Sequence, residues 1–360
     1  MKQSIAALAQ DSNPNRILLI RFARLGDVIL LVPAIKLLRR RFSNANITVL
    51  VDHRYAPILQ MCSAVDEVIA VNRLAMRDGS KLVAARQIFN LAKRIRGRRY
   101  DIVIDFQSFR ETNLLVWYSQ APLRLGLRRK PSSYLRFCFN IEPVLEDKSQ
   151  HVSSVFVSLL KPLGIGPNWD DPLLDLSSED LAKAEDFLIR HGVSSHSLLL
   201  GFNVGAGSQG RMWPKQKFAG LAKKLIRKYD ATPILFSGPQ DGDSSRQVAA
   251  LINNPSCIVA NQLSLRSLAA VMSRCKLLVS NDTGPMHLGP AVGVPTLGLF
   301  SLGYAENYRP LGGSSRFVKR HPIEALPLEE VYGNAIEMID AAVEGRKLLG
   351  NSSQVETAPQ

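Results

Sequence analysis

The sequence predicts an α/β protein made of two doubly wound, Rossmann-like domains. Three observations carry that expectation. Short apolar runs alternate with amphipathic helical stretches through both halves, the pattern of repeated β-α units around a parallel sheet. A stretch rich in Pro, Gly and Asp, KPLGIGPNWDDPLLDLSSED from Lys161 to Asp180, reads as a linker between the halves. At 360 residues the chain is also longer than one hydrophobic core usually organises. The expected division is 1–170 and 171–349, with a polar, disordered tail at 350–360.

In the first half, RILLIRF (16–22) has the continuous apolar character of a buried strand, and DVILLVPAIKLLRRRF (27–42) has helical spacing. ITVLVD (47–52), EVIAV (67–71) and DIVIDF (101–106) read as further strands, with a basic helix over 81–96. SSEDLAKAEDFLIRHG opens the second half as a helix, with an S-x-x-D cap and Gly192 as its stop. Strands follow at 198–204, 233–238 and 257–260, and helices at 214–229, 243–252 and 265–275. The last of these precedes LLVSNDTGPMHLGPAVGVPTLGLF, from Leu277 to Phe300, an apolar strand that hands over to a helix near Gly284.

Composition narrows the class. Four cysteines lie far apart with no C-x-x-C and no nearby His cluster, which argues for reduced thiols and against structural zinc. No run approaches the roughly 18 apolar residues of a membrane span, and the N-terminal apolar run is too short for a signal peptide. A cytoplasmic protein is expected, and peripheral contact with the inner membrane surface is one reading of its positive charge, beside a phosphorylated glycolipid or nucleic acid as partner. The net charge is +14, and it is unevenly placed. Residues 1–170 hold 26 Lys and Arg against 13 Asp and Glu, whereas residues 171–360 hold 19 against 18. The basic runs KRIRGRR (93–99) and RLGLRRK (124–130) read either as a solvated face or as a surface for an anionic partner. Arg128, Arg129 and Lys130 are expected in a loop of that surface. No nucleic-acid signature accompanies them.

Three motifs sit where strands hand over to helices, the edge at which α/β sheets bind ligands. GAGSQG (Gly205 to Gly210) spells G-x-G-x-x-G, but Asp230 lies at the wrong end of the next strand for a dinucleotide fold. What remains is a glycine-rich loop ending in Arg211, a side chain suited to phosphate oxygens. In RLGDV, Asp27 reads either as a helix N-cap or as a general base. In SNDTGPMH, Asp282, Thr283 and Gly284 stand at a helix start that favours an anion, while His287 reads as a core residue or as a ligand-binding one.

RLGDVILLVPAI and LVSNDTGPMHLGPAVGVPTLGLF resemble the two signatures of glycosyltransferase family 9, the ADP-heptose:lipopolysaccharide heptosyltransferases. NVGAGSQGRMWPKQKFAGLA and ILFSGPQD fall between them in the expected order, so the resemblance spans roughly residues 15 to 345. It implies a GT-B architecture, two Rossmann-like domains facing across a cleft. It also implies an inverting, metal-independent transfer from an ADP-sugar to a lipopolysaccharide inner-core acceptor. Under it Asp27 is the catalytic base and Arg211 faces the diphosphate. Gly205, Ser208, Gln240, Asp282, Thr283, Gly284 and His287 bind the donor, and the basic first half, with Arg128, Arg129 and Lys130, meets the anionic glycolipid. Gln240 departs from a common Glu, and Pro290 from a common Ala. Competing readings are a sugar-nucleotide epimerase on the same fold and a binding protein that has lost catalysis.

Overall fold

A computed structural model describes residues 13–73, 80–129, 134–168, 173–238, 242–301 and 304–345. The chain divides into two compact units, Met1–Asp175 and Leu176–Gln360. The expected boundary stood at 170/171. Leu173 and Leu174 are buried, and the Asp175 carboxylate accepts from the backbone N–H of Ser63, so this segment packs with the first unit.

The first unit runs β1 (Arg16–Arg21), α1 (Leu25–Ile29), α2 (Val32–Arg41), β2 (Asn46–Asp52), α3 (Ala56–Leu59), β3 (Glu67–Val71), α4 (Lys81–Gly97), β4 (Ile102–Asp105), α5 (Arg110–Ser119), β5 (Leu123–Arg128), β6 (Val144–Leu145) and α6 (Val152–Ser158). Its strands pair in parallel in the order β3-β2-β1-β4-β5-β6. β1 is buried along its length after Arg16, as befits a strand covered on both faces. The helix expected over 27–42 is two helices. Pro33 has no N–H to continue the first, so the chain turns at Leu30 and Leu31 and restarts with proline in the opening turn of α2.

The second unit runs α7 (Ser178–Arg190), β7 (Leu199–Asn203), α8 (Lys215–Tyr229), β8 (Thr232–Ser237), α9 (Gly242–Ile252), β9 (Ile258–Asn261), α10 (Leu265–Met272), β10 (Leu277–Asn281), α11 (Gly284–Ala291), β11 (Thr296–Phe300), α12 (Ala305–Tyr308), β12 (Arg316–Lys319) and α13 (Leu328–Val343). α7 begins with the expected cap: Ser177 and Asp180 exchange side-chain and backbone hydrogen bonds, and Gly192 follows the helix at φ +73. The sheet order is β12-β11-β10-β7-β8-β9. Counted within its own half, this is the same order as in the first unit.

That shared order fixes where function can sit. Each sheet reverses its winding between its first and fourth strands, at β1/β4 and at β7/β10, and loops leaving those carboxyl ends flank a crevice. α11 lies tightly on β10 and β11 because residue 289 is glycine. A Cβ there would come within 2.8 Å of Leu278 Cδ2 and collide with the Thr296 side chain. Pro290 sits inside this eight-residue helix, which ends at Ala291.

Candidate active site

In the second unit the loop after β7 and the end of β10 are tied together across the switch point. Asn281, fully buried, accepts from the Trp213 backbone N–H at 3.0 Å and donates to the Val204 carbonyl at 2.8 Å. Asn203 donates to Ser280 Oγ at 2.9 Å, bridging the adjacent strand ends. Trp213 is itself buried, with its indole N–H on the Leu326 carbonyl. The glycine-rich loop is therefore clamped at both ends while its middle stays exposed. Gly205 is buried just past β7, and Ser208 is exposed at the start of a single 3₁₀ turn, Gln209–Arg211.

Arg211 leaves that turn toward Asp282, with Nη1 3.3 Å from Oδ2. The Arg211 side chain is 49% exposed and Asp282 only 18%. Burial pushes the Asp282 carboxyl above the usual carboxylate range, and the Arg211 charge opposes the shift. Thr283 stands at the N-cap position of α11 without a side-chain capping bond, and Gly284 is the first helical residue. His287 lies one turn further on and is buried. Arg211, Asp282, Thr283 and Gly284 thus share one edge of the second sheet. Gln240 falls outside the described residues.

In the first unit the same edge carries Asp27. It is the third residue of α1, whose N-cap position is Arg24, so the capping reading of Asp27 does not hold. Its carboxylate instead accepts from Arg21 Nη2 at 2.8 Å. Arg21 is the last residue of β1. It is buried, donates through Nη1 to the Phe106 carbonyl at 2.8 Å, and lies 4.8 Å from the centre of the Phe156 ring. The Phe106 carbonyl is itself held in place. Asp105, fully buried at the end of β4, accepts from the backbone N–H groups of Gln107 and Ser108 and from the Thr112 and Asn113 side chains. Arg21 and Asn281 therefore do the same job in the two units: each crosses a switch point to a carbonyl on the neighbouring strand's exit.

Sequence reasoning did not find Arg21, Asp105, Asn203 or Asn281. The signal was a polar or charged residue closing an otherwise apolar strand, which in a covered parallel sheet needs a buried partner. The basic run also differs from expectation. Leu123–Arg128 is strand β5, with Arg128 exposed at its last position, where a loop had been expected. Arg129 has partners within the unit: Nε lies 3.0 Å from a Glu146 carboxylate oxygen, and Nη1 donates to the Gln107 carbonyl. Lys130 falls outside the described residues.

The four cysteines are free, and burial pushes their thiols up, Cys275 to about 12. Among the described residues no His, Cys, Asp and Glu side chains group as a metal site, and no helix is long and apolar enough to cross a membrane. Asp230 closes α8 in the left-handed conformation, before β8 begins, which fits the rejection of a dinucleotide site.

Comparison with known proteins shows the family. Residues 88–330 match the family model described as glycosyltransferase family 9 (heptosyltransferase). Lipopolysaccharide heptosyltransferase 2 of Salmonella typhimurium is 24% identical over 320 residues, covering 84% of this chain and 88% of its own. A family 9 glycosyl transferase from Veillonella parvula superposes with a TM-score of 0.81 at 25% identity, covering 90% of this chain and 97% of its own. Escherichia coli heptosyltransferase WaaC with ADP superposes at 0.74 with 19% identity, covering 90% and 99%, a likeness of fold.

Proposed function

The chain belongs to glycosyltransferase family 9 and is a glycosyltransferase, and from that premise we propose that it moves a heptose or similar sugar from ADP-heptose to an anionic inner-core lipopolysaccharide acceptor, with inversion. The observation that carries this reading is one charged pair at each switch point, Arg21–Asp27 and Arg211–Asp282. The names of relatives supply the sugar and acceptor class.

The second unit holds the donor. Gly205 and Ser208 let backbone approach the diphosphate, and the first turn of α11 presents its N-terminal dipole to it. Arg211 swings from Asp282 to the phosphate oxygens and meets the charge that develops as the sugar–phosphate bond breaks. Asp282, Thr283 and Gly284 then face the sugar, and no metal ion is called for. In the first unit Asp27 takes the proton of the acceptor hydroxyl as its oxygen bonds to the anomeric carbon from the face opposite the leaving group. The electrons of the broken bond pass to the β-phosphate oxygen, ADP departs, and the carbon is inverted. The protein works at the inner face of the cytoplasmic membrane, where its lipid-linked acceptor lies.

Thermal unfolding with ADP, UDP, GDP and CMP tests the donor, because a ligand bound only by the folded state raises apparent stability. ADP should raise the midpoint most, and a preference for UDP would overturn the donor. Release of ADP only when donor and acceptor are both present would mark a transferase. Interconversion of the sugar without acceptor would mark an epimerase.

A further inference from the structure

We propose that the outer faces of α4 and α5 form a docking surface for an anionic lipid bilayer. α4 is seventeen residues long and contains no Asp or Glu. Its C-terminal half attaches to the core through Leu91, Ala92 and Ile95, but its first half is exposed on nearly every side. Leu82 is 83% exposed and Phe89 61%. Leu82, Arg86, Phe89, Lys93 and Arg96 fall at i, i+4, i+7, i+11 and i+14, so two large apolar and three basic side chains share one stripe, the last of them, Arg96, also donating to the Tyr118 carbonyl. α5 packs beside α4 and continues the surface with exposed Leu114 and Trp117. Phe137, also exposed, stands edge-on to Trp117 with ring centres 6.4 Å apart.

Charge and layout select the partner. Protein interfaces gather apolar residues at a centre depleted of lysine and place charge at the rim. Here Lys and Arg are interleaved with Leu and Phe, the pattern in which apolar side chains enter the acyl boundary while long basic stems reach back to phosphates. An exposed tryptophan suits the headgroup level. The neighbouring acids cancel one charge of α4, that of Arg94, which lies off the stripe, and leave Arg86 and Lys93 without a carboxylate partner among the ion pairs of the described residues. Glu67 is paired with Arg94 and Arg98, Glu142 with Arg136, and Glu111 sits beside Arg110 on α5. α4 runs from the exit of β3 back to the start of β4, so its exposed half lies at the carboxyl edge of the sheet, the edge that carries Asp27. The inference rests on the proposed function only in taking the acceptor to be lipid-anchored; the surface itself is read from α4 and α5.

Co-sedimentation of the full chain with vesicles tests it. Vesicles of phosphatidylglycerol and phosphatidylethanolamine should bind the protein at low salt, and phosphatidylcholine vesicles about tenfold or more weakly. Leu82→Ser with Phe89→Ser, and separately Arg86→Glu with Lys93→Glu, should each weaken binding by about tenfold or more at unchanged thermal midpoint. Brominated acyl chains should quench fluorescence that is missing in Trp117→Phe. With an acceptor stripped of its acyl chains, both double variants should transfer sugar like the parent. Vesicle binding needs no substrate, so it reads out even if the donor or acceptor proves different. No pelleting at low salt, equal pelleting of the variants, or a concentration-dependent dimer that either double variant dissolves would overturn the proposal, the last by assigning the face to a second copy of the chain.

Discussion

Arg21 Nη2 lies 2.8 Å from Asp27 Oδ1, joining a guanidinium that is 4% exposed to a carboxylate that is 22% exposed. The pair holds the carboxylate at the edge of the first sheet from the buried side. The base proposed for the reaction is thus oriented by a cation that is itself locked onto the Phe106 carbonyl.

Asp27→Asn should reduce transfer by about 10² to 10⁴ while ADP affinity stays near that of the parent. The amide keeps an oxygen for Arg21 but not the negative charge, so stability should fall by less than in the Ala variant. Asp27→Ala should lose the same activity and also destabilise the fold, by about 3 to 5 kcal/mol, because it leaves the buried Arg21 charge without its carboxylate. Steady-state kinetics beside thermal unfolding separates the two effects. Near-parental turnover in the Asn variant would make Asp27 a structural partner of Arg21 alone.

Arg211→Ala should weaken both ADP binding and turnover, and Arg211→Lys should restore part of each, since lysine supplies charge without the planar fork. The side chain is half exposed, so the ion pair with Asp282 contributes about 0 to 1 kcal/mol and the Ala variant should unfold at nearly the parental temperature. Calorimetric titration with ADP checks the binding, and an unchanged affinity would place the diphosphate elsewhere.

Asp282 makes the free protein's stability depend on pH in a defined direction. Its folded pKa is raised, so the folded state keeps this proton after the unfolded chain has lost it. The contribution of this group is full below the unfolded pKa, is lost as pH rises through the folded one, and is constant above that. Asp282→Asn should therefore match the parent near pH 3 and be the more stable of the two at pH 7, in unfolding curves without ligand. Equal difference at both pH values would mean the carboxyl is not strained by its burial.

Asn281→Ala removes both side-chain bonds that clamp the loop carrying Arg211. Leaving the Trp213 N–H and the Val204 carbonyl unpaired should cost about 1 to 3 kcal/mol for each group. Because Trp213 anchors the turn bearing Arg211, ADP affinity should fall as well, although Asn281 itself is buried. Retained affinity in a destabilised variant would show that the loop finds its place without the clamp.

Arg128→Glu should raise the KM for a lipid-linked acceptor, leave that for the donor unchanged, and lose its effect as salt rises, since exposed charges are screened within about 8 to 10 Å. Arg129→Glu should in addition lower the unfolding temperature, because its partner Glu146 would then face a like charge. A shifted donor constant in Arg128→Glu would assign the first unit's basic edge to the nucleotide.

Strand and helix positions in both halves, the α7 cap, the free cysteines and the place of Asp27, Arg211, Asp282 and Gly284 at strand exits were legible without coordinates. Each depends on local periodicity or on turn chemistry, which neighbouring residues display. The periodicity does not display β5, whose last residue, Arg128, is expected in a loop, because RLGLRR mixes charge with apolar residues. The strand tolerates Arg124 because its guanidinium reaches the carbonyls of Ala121 and Cys138, contacts that no periodicity reveals.

By itself, then, the sequence determined a two-domain α/β protein, its signature motifs, and the concentration of positive charge in its first half, all of them properties of residues close together along the chain. Only the tertiary structure decided that Asp27 pairs with Arg21 and does not cap α1, and that Asn281 reaches back to Val204 across 77 positions. It also decided that Arg129 has Glu146 for a partner while Leu82 and Phe89 of α4 stand exposed. Those outcomes follow from strand order. Placing the fourth strand beside the first brings distant strand ends together, and the polar groups they bury must then find one another.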